Sequence, residues 1–105
     1  MQTLILFGYS GFDENHRASL SSLVGNSPDC GIVLMEDAVI GTIPTMNGAS
    51  IYRDLETGGK KVYCLKEDCQ ARGLDPTAIS PGIELITYAT LIDLIETTAR
   101  VVSWL

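Results

Sequence analysis

The sequence predicts an α/β fold: a three-layer α/β/α domain around a mostly parallel sheet of about five strands. Two observations carry this. Short, near-continuous apolar runs recur along the chain, as expected of strands buried on both faces. Stretches with helical spacing or turn chemistry separate them, so strand and helix alternate throughout, the pattern of βαβ crossovers.

Taken in order, Leu4-Ile5-Leu6-Phe7 is the first buried strand, and Gly8-Tyr9-Ser10-Gly11 breaks it into a loop. From about Asn15 to Val24, Ala18, Leu20, Leu23 and Val24 fall at helical spacing. Gly25 to Asp29 is turn chemistry, with Cys30 at its end. Gly31 to Met35 is a second strand, ending at the acidic pair Glu36-Asp37. Ala38 to Ile40 starts a short helix, Gly41 to Gly48 is irregular, and Ala49 to Leu55 resumes as a helix closed by Gly58-Gly59. Lys61 to Leu65 is the third strand. The polar run after it, with Leu65, Cys69 and Arg72 at helical spacing, is a helix stopped at Gly73, because glycine takes the left-handed position past a helix end without steric cost. Asp75 to Pro81 is a loop and Ile83 to Ile86 a fourth strand. Thr87 caps a helix running from Tyr88 to Thr98, and Arg100 to Ser103 is a terminal strand. No repeat, linker or low-complexity stretch divides residues 1–105, so a single domain is expected.

Composition narrows the function classes. Hydrophobic residues make up 46% and charged residues 19%, which is globular rather than disordered. The formal net charge of −6 argues against direct contact with nucleic acid, since phosphate neutralisation needs clustered Lys and Arg and only Lys60-Lys61 are adjacent. No apolar run approaches the roughly 20 residues of a membrane span, and the first apolar run reads as a strand, not a leader. Three cysteines without framework spacing suit free thiols, and the expected setting is the cytoplasm.

Cys64 is the chief chemical candidate. It stands at a strand's carboxyl end, the edge where ligands collect in parallel sheets. Lys66 and the start of a helix would lower its pKa; Glu67 and Asp68 would oppose that. The plainer reading is packing, because cysteine behaves as a small buried hydrophobe. Packing is also the reading for Cys69 and Cys30, and Cys64 and Cys69 lack the spacing of a Cys-x-x-Cys motif. Glu36 and Asp37 suit a metal ligand pair or a proton acceptor or, more simply, caps for the next helix. Ser10 and Lys66 lie at the same edge and join them as site-edge candidates. His16 reads as a surface residue. No phosphate-loop motif follows the first strand, and neither a metal site nor a cofactor is expected. No disulfide is expected, because Cys64 and Cys69 share one strand-to-helix unit and Cys30 lies at the far edge. The apolar ending Val101-Val102-Ser103-Trp104-Leu105, with Tyr52, Tyr63 and Tyr88 as interface-type aromatics, leads to the expectation that the domain is not a monomer and that Trp104 lies in or beside a subunit contact; the plainer alternative is that Trp104 packs on its own sheet.

These segments resemble, in order and over nearly the whole chain, the DsrH/TusB branch of the DsrE/DsrF/DsrH sulfur-relay family. Lys61-Val62-Tyr63-Cys64-Leu65-Lys66-Glu67-Asp68 through Ala71-Arg72-Gly73 is similar to its K-V-Y-x-L-x-x-D-x-x-A-R-G segment. Ser10-Gly11-Phe12 resembles S-P-F, and Val33-Leu34-Met35-Glu36-Asp37-Ala38-Val39 resembles V-L-L-x-E-D-G-V. Leu85-Ile86-Thr87-Tyr88 with Leu91-Ile92-Asp93-Leu94, and the Trp104-Leu105 tail, match its closing segments. The resemblance implies a flavodoxin-like α/β/α domain that joins DsrE- and DsrF-type (TusD/TusC) subunits in a hexamer. Such complexes pass persulfide sulfur toward tRNA wobble-uridine thiolation or dissimilatory sulfur oxidation. Two departures bear on chemistry. Leu20 stands where some members carry a cysteine. Cys64 lies one residue further from Gly73 than the sulfur-accepting cysteine of DsrE/TusD relatives, and one residue in a strand reverses the side-chain face. The reading is a relay subunit acting through protein contacts. The rivals are a carrier that loads Cys64 itself, and a homo-oligomeric small-molecule binder.

Overall fold

A computed structural model describes all 105 residues. Five strands form one sheet: β1 Thr3–Phe7, β2 Cys30–Leu34, β3 Lys61–Leu65, β4 Glu84–Ile86 and β5 Arg100–Trp104. Their order is β4-β3-β2-β1-β5, and every pairing is parallel. The helices are α1 Glu14–Gly25, α2 Arg53–Thr57, α3 Lys66–Ala71 and α4 Tyr88–Thr97, with 3-10 turns at Glu36–Thr42 and Pro76–Ala78.

The strand period of two sorts the core into two faces. Ile5, Phe7, Ile32, Leu34, Val62 and Cys64 point one way, into a cluster completed by Leu20 and Val24 of α1, Ala38 and Val39 of the 3-10 segment, Tyr52, Leu55 and Cys69. Leu4, Leu6, Val33, Tyr63, Leu65 and Ile86 point the other way and meet Leu91 of α4. Right-handed crossovers explain the asymmetry. The first three connections step in one direction along the sheet and stack on one face, whereas the connection from β4 to β5 runs back across the other. So α4 covers its face alone, and Tyr88, Ile92 and Ile95 on its outer side stay exposed.

Local chemistry fixes the ends. The Asp13 carboxylate caps α1, accepting from the Asn15 and His16 N–H groups at 2.9 and 3.3 Å. Thr87 caps α4 as expected, accepting from the Thr90 N–H. Gly73 adopts φ +70° after α3, and the Leu74 N–H closes back on the Cys69 carbonyl at 3.0 Å. Three expectations are corrected. Cys30 is not in the turn but opens β2, buried. The second helix starts at Arg53 rather than Ala49, because the Ser50 hydroxyl accepts from the Tyr52 N–H and holds that stretch as a turn. Tyr52 and Tyr63 are buried, at 2% and 8% exposure, so of these three tyrosines Tyr88 alone offers aromatic surface.

Candidate functional site

All five parallel strands deliver their carboxyl ends to one rim of the sheet. The turn after β1 supplies Gly8 to Asp13, β2 leads into Glu36, β3 into Lys66 to Asp68, β4 into Tyr88, and β5 into Leu105. The rim is tied across strands. The Glu36 N–H donates to Asp68 Oδ2 at 2.6 Å, the Tyr88 N–H donates to Glu67 Oε2 at 3.1 Å, and the Gly8 N–H donates to the Trp104 carbonyl at 2.9 Å. Glu36 takes φ +49°, a left-handed conformation unusual for a non-glycine residue, at the sharp exit from β2. The Asp68 carboxylate pushes the Tyr88 phenol up, with burial and Glu67 adding to it.

The sequence-predicted residues divide. Glu36 and Asp37 do not cap the following turn, since no side-chain cap bond forms there. Asp37 instead receives the Arg72 guanidinium, with Nε and Nη2 both 3.2 Å from Oδ1. Ser10 is half-buried and its hydroxyl accepts from the Phe12 N–H at 3.3 Å, holding the turn after β1 rather than lining a pocket. Lys66 is half-buried and forms no ion pair. Trp104 is half-buried against its own core cluster, on an edge strand. His16 stacks on Tyr9, with ring centroids 4.1 Å apart, and lies 3.3 Å from Asp13. No group of three His, Cys, Asp or Glu side chains is placed to hold a metal ion.

Cys64 is not at the surface of this rim. It is fully buried, facing the layer of α1 to α3. Burial, and then the hydrogen bond with Cys69, push its thiol far above the ordinary value; the lowering expected from the helix start and Lys66 is absent. Beside it lies a residue that sequence reasoning set aside. Cys69 Sγ sits 3.0 Å from Cys64 Sγ, also fully buried. All three cysteines are free, as expected, but the ground for separating these two fails: the strand-to-helix junction brings them together. Their five-residue offset matches no motif, so the pairing was legible only from the path of the junction.

The fold is the one expected from the sequence, and the comparisons with known proteins agree on it. The DsrH like protein family matches residues 9–101. The chain belongs to the DsrH-like family. That membership carries a sulfur-relay role in general terms, exercised with partner subunits. Among solved structures, the ychN protein from E. coli superposes with a TM-score of 0.74 at 20% identity, covering 99% of this chain and 100% of that one. The protein of unknown function MTH1491 from Methanobacterium thermoautotrophicum superposes at 0.68 with 11% identity, again over 99% and 100%. Both likenesses show a shared fold. No curated protein matches this DsrH-like chain. No helix is long and apolar enough to cross a membrane.

Proposed function

We propose that this DsrH-like chain is a cytoplasmic relay subunit that supports persulfide sulfur transfer by contacting DsrE- and DsrF-type partners, without carrying sulfur itself. One observation carries the reading: the thiol nearest the functional rim is sealed in the core, while apolar side chains are left outside on α4 and β5. A persulfide carrier needs an accessible thiolate, and Cys64 has neither access nor a lowered pKa. By contrast Tyr88, Ile92, Ile95 and Val101 stand 36–55% exposed on the face covered by α4 alone and on the neighbouring edge strand. Apolar surface of this kind marks protein contacts. Transfer toward tRNA thiolation and toward sulfur oxidation would use this surface alike. The three free thiols suit the reducing cytoplasm.

The test mixes the chain with DsrE- and DsrF-type subunits and reads native mass, then incubates it with a persulfide donor and reads peptide masses. A mixed complex is expected with wild type and not with an Ile92→Glu, Ile95→Glu variant whose circular dichroism is unchanged. The Cys64 peptide should not gain the mass of a sulfur atom. A chain that stays monomeric with every partner, or a Cys64 peptide that takes up sulfur, overturns the reading.

A further inference from the structure

Outside the rim, the molecule holds one pair of nucleophilic groups in contact. Cys64 is the fourth residue of β3, and Cys69 the fourth of α3. The chain turns through Lys66 between them and brings the two sulfur atoms to 3.0 Å in a region with no exposed surface at either residue. A disulfide bond is about 2.05 Å long, so closure requires an approach of about 1 Å. Both ends are held. β3 is hydrogen-bonded between β2 and β4, and α3 ends in the Gly73 turn, whose Leu74 N–H returns to the Cys69 carbonyl. Cys30 opens β2 at the opposite end of the sheet, so it does not compete for either thiol.

We propose that Cys64 and Cys69 are a built-in disulfide site, an intramolecular dithiol that a small peroxide oxidises within the folded chain. The reaction balances with peroxide as the oxidant. One sulfur attacks a peroxide oxygen, the O–O bond breaks, and a sulfenic acid and one water form. The second sulfur displaces the sulfenic oxygen, which leaves as another water. The two thiols give up two electrons and two protons, and the peroxide is reduced to two waters.

The site is guarded. Burial raises both thiols, so little thiolate exists near neutral pH. Access requires α3 to lift, and α3 is a six-residue helix. The same helix carries Glu67 and Asp68, which hold the Tyr88 and Glu36 N–H groups. Opening that admits oxidant therefore also releases the rim, and closure of the disulfide tethers α3 back to β3. This places a redox-sensitive joint directly under the rim, independent of whether the chain itself carries sulfur.

The experiment treats the native chain with hydrogen peroxide, quenches, denatures and counts thiols. The expected count falls from three to one, and the intact mass falls by two hydrogens. Trypsin cuts after Lys66 and so separates the two cysteines. The bridged product is then Val62–Lys66 joined to Glu67–Arg72, released by dithiothreitol. Cys30→Ser should lose the same two thiols, and Cys69→Ser should form no internal bridge. The proposal is overturned if the native chain keeps three thiols at peroxide doses that bridge the urea-unfolded chain. It is also overturned if the products are sulfinic acids or dimers through Cys30 instead of the internal link.

Discussion

Replacing Cys64 by alanine separates packing from chemistry, because the two readings predict different magnitudes in different assays. The side chain is fully buried between the sheet and the layer of α1 to α3. Removing Sγ costs its transfer out of water, comparable to one methylene at about 0.8 kcal/mol. A residual cavity of roughly 20 Å³, at about 24 cal/mol per Å³, adds ~0.5 kcal/mol. The sum is about 1.3 kcal/mol. For a chain of 105 residues, the entropy of unfolding is about 0.22 kcal/mol/K, so the midpoint should fall by about 6 °C. A domain stable by roughly 5 kcal/mol or more remains over 99% folded after that loss. Hence the variant should unfold earlier in urea and heat, yet support sulfur transfer in the assembled complex at the wild-type rate. Transfer reduced tenfold in a folded, assembled Cys64→Ala variant would refute the packing argument, because unfolding cannot account for it. A variant as stable as wild type would refute the burial argument.

Further expectations concern pH and the ends of the helices. The Cys64 thiol is raised in the fold from its ordinary 9.0, so its stabilisation is fully present below pH 9. Above that pH the unfolded chain releases the proton first, and stability should fall by up to about 1.4 kcal/mol per pH unit for this group. Urea midpoints measured from about pH 8 to about pH 10 would show the decline, and a flat profile would contradict it. Gly73→Ala should cost about 1 kcal/mol from backbone strain alone, since φ is +70° and no atom lies within 4 Å of the added methyl group. Asp13→Ala should cost about 1 kcal/mol by freeing the first-turn amides of α1, measurable by chemical denaturation and absent if that cap does not form in solution.

Ile92 and Ile95 show where surface and core part company in a sequence. Both belong to the helical pattern that identifies α4, and nothing in that pattern says that the helix covers its sheet face alone. The strand order decides that. Because β5 returns to the far side of β1, the last crossover lies opposite the other three. The same holds for the tyrosines. Tyr63 sits in an apolar strand and is buried as its neighbours are, while Tyr52 is buried because its hydroxyl donates to the Ala38 carbonyl at 2.7 Å, a partner 14 residues away. Asp37 likewise meets Arg72, 35 residues on, instead of capping its own turn.

The features legible in the order of residues are local and periodic. Continuous apolar runs marked β1 to β4, threonine and glycine marked a helix start and a helix end, and the ordered set of short segments marked the family. These signals act over a few residues, through backbone sterics and the burial of both strand faces. The tertiary structure alone decided what the cysteines are. A strand places Cys64 on one face by a period of two, a helix places Cys69 by a period of 3.6, and their meeting depends on the angle at which the chain leaves β3. That angle is set by packing against the 3-10 segment and the sheet, contacts between residues distant in the chain, so no spacing rule could announce it. The result is a thiol withdrawn from the rim into the core and held 3.0 Å from a second one.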